Sequence, residues 1–330
     1  MELPVRVVRG QRVLLAVLLA PVLAVAWLEF KSVSASAIRH DKPIVYWLAL
    51  RAQPAALAHV FMLLYRPDRR TLDLVDIPED LPLSDRNGGK EMTSISRLAA
   101  ASRRRARSPD SVLAATVADE TMLAISADSP QALRDAFVPE PFIYENAGSW
   151  SEEAPLEAKE WLLEQLHPAS LVRRLLSVDH VHLGTNSFEL LRLGIELNRL
   201  KNDDIRAGYL PETPAERASF LAKLIEPAGD IPTIPEEHQV TVEILNATEK
   251  PGVASALKKI LRSKGADVMS TGNAPARART VVYDRVGRPE LAAQVRRMLK
   301  CESARALTQI DAKRLVDVSV VIADDCPQRE

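Results

Sequence analysis

Val240-Thr241-Val242-Glu243-Ile244-Leu245 sets Val240, Val242 and Ile244 on one face of an extended chain, and the run Val316-Asp317-Val318-Ser319-Val320-Val321-Ile322 answers it as a buried strand. Between them Asn246 to Gly252 reads as a tight turn, with Pro251-Gly252 supplying a fixed φ and a permissive backbone. Val253, Ala256, Leu257, Ile260 and Leu261 recur at three- and four-residue spacing, so a helix follows and Gly265 ends it. Ala266 to Met269 and Thr280 to Tyr283 read as two short strands. Arg288-Pro289-Glu290 opens a second helix, whose Leu291, Val295 and Leu299 share a side. The expected order is β-α-β-β-α-β, a small α/β sandwich over residues 239–330.

Upstream, Glu226 to Glu237 holds three prolines and four acids, a composition that suits a semi-extended tether over 226–238. Residues 40–225 mix strand-like runs (44–50, 59–65, 71–77, 178–182, 205–210) with helical ones (97–107, 129–137, 157–176, 188–200). That mixture predicts one α/β domain with a mixed central sheet.

The N-terminus carries Arg6, Arg9 and Arg12 before an uncharged apolar run from Val13 to Leu28. As a helix this run spans about 24 Å, against a hydrocarbon core of ~30 Å, with Trp27 and Phe30 placed for the interface. A single-pass signal-anchor at about 13–30 is the preferred reading, with residues 1–39 forming a basic tip, helix and connector. A signal peptide cleaved after Ala24-Val25-Ala26 or Ala35-Ser36-Ala37 and a buried core helix are the alternatives. The first two readings place residues 40 onward outside the cytoplasm: in the cytoplasmic membrane with the N-terminus inside, or secreted after cleavage.

A formal charge of −1 and an aromatic content of 5% give neither a basic field nor stacking platforms, so nucleic acid is not an expected partner. Cys301 and Cys326 are the two cysteines. Cys301 ends the second helix near the start of the last strand, and Cys326 follows that strand's far end. Seven or eight extended residues separate them by about 25 Å, whereas a bridge needs Cα atoms within about 7 Å. Only a fold-back between 302 and 315 would bring them together, so no disulfide is expected and both are read as unpaired.

The wording within the last module resembles the C-terminal domain of LytR-CpsA-Psr proteins. Val242-Glu243-Ile244-Leu245-Asn246, Pro251-Gly252-Val253-Ala254, Lys264-Gly265-Ala266-Asp267-Val268 and the ending Asp317 to Asp325 carry the likeness over residues 239–326. Ala247 and Ala323 or Asp324 stand where the family usually has glycine. The central region is similar to that family's catalytic domain in degenerate form. Its carriers are Ile77-Pro78-Glu79-Asp80, where Ile-Pro-Arg-Asp is typical, and Asn186 to Leu191 followed by Ile205 to Pro211.

The resemblance implies a cell-envelope setting and, for active members, Mg²⁺-assisted transfer of a polyprenyl-pyrophosphate-linked glycan to peptidoglycan. Such chemistry needs arginine clamps and metal-holding acids. Here Glu79 replaces the expected arginine, Ala58-His59 replaces an expected acid, and Phe142 to Glu153 is arginine-free. Asp80 is the sole weak catalytic candidate, and a lone carboxylate is more often a turn or cap residue. Arg103, Arg104 and Arg105 are weak phosphate-binding candidates, against the reading of a solvated helix end. His180 and His182 share a strand face without a third ligand, so no metal site is expected.

The reading taken is a membrane-anchored envelope protein without catalysis and without a cofactor. Its partners would be the membrane, through the N-terminal helix, and a cell-wall glycan or an envelope protein, through 239–330. The alternative is an active glycopolymer transferase of the LytR-CpsA-Psr type, a phosphotransferase using Mg²⁺.

Overall fold

The computed structural model describes residues 19–20, 23, 25–52, 56–78, 81–83, 93–94, 142–144, 153–165, 167, 169, 187–225 and 239–326. Among them one mixed sheet of ten strands runs through both halves of the chain. Its members are β1 (Ile44–Ala52), β2 (Ala56–Arg66), β3 (Thr71–Ile77), β6 (Phe142–Tyr144), β7 (Ile205–Tyr209), β8 (Thr241–Asn246), β9 (Asp267–Asn273), β10 (Val281–Asp284), β11 (Arg305–Thr308) and β12 (Val318–Ile322). They lie in the order β6-β1-β2-β3-β7-β11-β10-β12-β8-β9, and β4 (Pro82–Leu83) pairs separately with β5 (Thr93–Ser94).

The helices are α1 (Val33–Arg39), α2 (Ala154–Gln165), α3 (Ser187–Leu197), α4 (Pro214–Ile225), α5 (Val253–Ser263) and α6 (Pro289–Leu299). The alternation read from the sequence explains the layers. Tyr46, Phe61, Leu63, Leu72, Leu74 and Ile205 face α2 and α3, while Trp47, Met62, Leu64, Val75 and Ile77 face Phe220, Leu221 and Leu224 of α4. In the last module Val242, Ile244, Val282, Val318 and Val320 pack against Leu257 and Leu261 of α5 and Leu291 and Val295 of α6. Burying such side chains supplies roughly 1.5–3 kcal/mol each.

Several local expectations hold. Gly265, at φ 90, follows α5 as its stop, and the Ala266 amide returns to the Leu261 carbonyl at 3.1 Å. Pro289 begins α6. Ala247 and Ala323 are buried, and neither they nor Asp324 are among the residues of positive φ, so a Cβ costs no strain at any of the three. The Ala247 amide bonds Ile322 O and the Ala323 amide bonds Thr280 Oγ1, both at 2.9 Å, which closes both loops.

Three differences stand out. The module is β-α-β-β-α-β-β, because β11 intervenes before the closing strand. α4 follows β7 and covers the second face of the central sheet. The third concerns the cysteines: Cys301 and Cys326 form a disulfide with Cα atoms 5.6 Å apart, which corrects the expectation that they are unpaired. β11 runs parallel to β10 and β12 antiparallel to it, so the chain between 302 and 315 travels up the sheet and comes back. The end of β12 therefore lies at the same end of the sheet as the start of β11, on the other side of β10. Asp325 fastens the same corner by accepting from Thr280 N at 2.9 Å and Thr280 Oγ1 at 2.7 Å.

Among the described residues no helix is long and apolar enough to cross a membrane, so they lend the expected single-pass helix no support; half of the 13–30 segment lies outside them. The proposed tether at 226–238 and the expected helices at 97–107 and 129–137 also lie outside the described residues.

The two halves join where Gly208 of β7 pairs with Thr308 of β11. A Cβ on Gly208 would meet Thr308 Cβ and its carbonyl oxygen at 3.0 Å. Gly208→Ala is expected to cost about 1–3 kcal/mol in chemical denaturation and to increase protease cutting between the halves. An unchanged midpoint and digestion pattern would show the junction to be slack. Reducing the disulfide, whose cysteines are 25 residues apart, is expected to lower stability by about 3 kcal/mol through loop entropy. A Cys301→Ser variant with wild-type stability would count against that contribution.

Candidate functional site

Asp80, Glu79, Arg103, Arg104, Arg105, His180 and His182 lie outside the described residues, so none of them builds the site below. Near the same motif, buried Asp76 of β3 sits 3.4 Å from Nδ1 of His59 on β2. Burial raises the Asp76 carboxyl and the His59 contact partly offsets this. The pair ties two neighbouring strands. Among the described residues no three His, Cys, Asp or Glu side chains converge as a metal ion would require.

The structure gathers cations elsewhere. From Gly208 and Thr308 toward their N-terminal ends, β7 and β11 have no further paired positions, and the sheet splits. The split opens into a cavity of about 210 Å³. Lys159 of α2 enters from one side of the sheet, Arg296 and Arg297 of α6 from the other, and Arg206 and Arg305 come from the split strands. Asp203 and Glu290 are the acids of the lining. Five basic side chains thus face two acidic ones.

Each position has a local cause. Lys159 Nζ donates to the carbonyls of Asn202 (2.6 Å) and Ile205 (2.5 Å), the open end of β7. Arg206 Nη2 meets Glu290 at 3.0 Å and Nη1 lies 4.0 Å from Asp73. Arg296 binds Asp203 through Nη2, while its buried Nε has no hydrogen-bond partner. Arg305 contacts Glu160 at 3.3 Å and the carbonyls of Glu302 and Ser303. Arg297 is exposed at the rim.

Burial, reinforced by the nearby Arg296, pulls the Lys159 ammonium down to about 8, with Asp203 opposing the shift. Asp73, beneath Arg206, is pushed up to about 6 by burial despite that arginine. Asp284, at the end of β10, is also raised to about 6 by burial; it accepts from the backbone of Arg288 and Val286, where the chain enters α6. The site can hold a compact anion between fixed cations. No spacing rule flags it, because its cations come from four elements far apart in sequence.

The geometry defines an α/β protein whose last module continues the central sheet. Residues 239–325 match the family model described as LytR cell envelope-related transcriptional attenuator, which bears out the resemblance read from the sequence. No curated protein matches the chain.

Solved structures resemble it only partially. The Lin1025 protein from Listeria innocua is 14% identical at TM-score 0.22, over 38% of this chain and 39% of that one. Protein gbs0355 from Streptococcus agalactiae is 13% identical at TM-score 0.21, over 43% and 39%. A fragment of the putative transcriptional factor Lmo1026 from Listeria monocytogenes is 12% identical at TM-score 0.21, over 71% and 82%. The chain thus spans 39% of the length of the first two.

The raised Asp73 sets a sign for pH dependence. Its folded carboxyl holds a proton more tightly than the unfolded one, so its contribution is full below about pH 4 and is lost as pH rises through about 6. Asp73→Asn is expected to gain stability relative to wild type between pH 4 and pH 7.5, by up to about 3 kcal/mol. Urea denaturation at the two pH values measures it, and a pH-independent difference would refute the linkage.

Proposed function

We propose that this chain is an exported cell-envelope protein, anchored in the cytoplasmic membrane by its N-terminal helix, that binds a cell-wall glycopolymer without catalysis. The observation that carries the reading is the match of residues 239–325 to a cell-envelope family, on a module that shares one sheet with the central region. A cavity between the two parts gives a polymer side group a place to enter.

Two features support export and anchoring. Leu19, Leu23, Trp27 and Phe30 recur at helical spacing and are exposed, a pattern that suits lipid contact. The base of this segment is held to α3: Arg192 pairs with Glu29 at 3.5 Å, and Glu189 accepts from the Val33 and Ser34 amides. The Cys301–Cys326 bond is the state that oxidising compartments maintain.

The test is co-sedimentation of the full chain, in mild detergent, with purified cell-wall sacculi. Retention is expected with intact walls, and release after their attached glycopolymers are stripped. If the chain stays in the supernatant with walls and with isolated envelope glycans, the reading fails.

A further inference from the structure

We propose that the cavity in the split between β7 and β11 is a binding site for a compact phosphate group, held jointly by the central region and the last module. The inference deepens the glycopolymer reading by naming the group recognised, but it rests on the cavity alone and can stand without that reading.

The charge balance is the first reason. Lys159, Arg206, Arg296, Arg297 and Arg305 outnumber Asp203 and Glu290 in the lining. Gathering cations in a partly buried space is unfavourable unless negative charge compensates them. The local acids do this unevenly. Glu290 takes Arg206, Asp203 takes Arg296, and Glu160, outside the lining, takes Arg305, yet Lys159 is held by neutral carbonyls and Arg297 lies exposed at the rim. An oxyanion between Lys159 and Arg297 would supply the missing charge.

Donor geometry is the second reason. Arg296 Nε is a buried donor without a hydrogen-bond partner, on the helix that walls the cavity. The amides of Arg305 and Gln309 bond Thr280 O and Asp284 O of the β10 side at 3.0 and 2.9 Å. By strand alternation the Ala306 amide between them turns toward β7 and the split. Guanidinium, ammonium and amide donors set around one small space are the groups that grip phosphate oxygens.

Size is the third. A volume of about 210 Å³ falls below the roughly 300–1,000 Å³ of pockets that engulf drug-sized ligands. It suits one phosphate or a pyrophosphate, or a phosphate carried on a longer chain lying outside the rim.

Such an anion would bridge the halves. Lys159 and Arg206 belong to the central region, and Arg296, Arg297 and Arg305 to the last module. Binding should therefore raise the melting temperature of the whole chain, since a ligand that binds only the folded state stabilises it by mass action.

The experiment is titration of the full chain in detergent with inorganic phosphate, pyrophosphate and a phosphodiester-containing glycan from purified walls. Calorimetry and thermal melting are read against sodium chloride of equal ionic strength. Saturable binding with a rise in melting temperature is expected for at least one phosphate compound. Arg297→Glu at the exposed rim, which leaves the ion pairs described above in place, should weaken it at least about tenfold. Lys159→Met should do the same, whereas Lys258→Ala on α5 should not.

Heat and melting shifts that match sodium chloride for all three probes would overturn the site. So would unchanged affinity in Arg297→Glu and Lys159→Met. Binding of phosphate or pyrophosphate but not of the glycan would leave the site standing and sink the glycopolymer reading. Glycan binding that both variants retain would do the reverse.

Discussion

The contact of Gly208 with Thr308 decides what kind of molecule this is. At that point the last strand of the central sheet meets a strand of the C-terminal module, and the two sheets become one. A Cβ there would crowd Thr308 Cβ and its carbonyl oxygen at 3.0 Å, so the approach suits a residue without one. Around it the seam is filled rather than tethered: Val281, Tyr283, Leu307 and Val321 belong to the same buried cluster as Tyr46, Phe61 and Leu74. Lys223 of α4 reaches Val286 O at 2.6 Å, Arg277 meets Glu153 at 3.0 Å, and Arg279 meets Glu160 at 2.9 Å. Exposed ion pairs such as the last contribute little singly. The shared apolar core is the term that joins the halves.

What the sequence made legible follows from where periodicity is strong. The alternations at 240–245 and 316–322, the i, i+4 apolar run in α5 and the proline opening α6 each specify one structure by local means. β11 is different: Arg305-Ala306-Leu307-Thr308 is four residues long, and the two faces it must satisfy belong to separate cores. Ala306 packs toward α6 and Leu307 toward α2. Such a strand owes its form to its neighbours. Missing it also reversed the reading of the cysteines, because the distance between them depends on whether the chain turns back. α4 carried a readable signal, since Thr213 and Glu216 bond reciprocally across its first turn.

The site was the least legible part. Sequence reasoning seeks charge in runs, and Arg103 to Arg105 is the densest one. Lys159, Arg206, Arg296 and Arg305 lie singly or in pairs on elements whose meeting depends on the β7–β11 pairing. Arg296 and Arg297, read in isolation, are cations favoured by a helix C-terminus.

The split and its charges are linked physically. Parallel strands that pair at one position and then diverge expose backbone groups that need partners. Lys159 answers two carbonyls at the mouth of the split, Ile205 at the start of β7 and Asn202 just before it, and loses hydration through burial there, which is why its ammonium is pulled down. Arg206 spans from buried Asp73 to Glu290 and so fixes α6 against β7. A seam made only of apolar side chains would close the split. A seam that keeps cations in it stays open, because like charges resist approach and retain water. The anion proposed for that space would relieve the repulsion among the cations while touching side chains from both halves of the sheet.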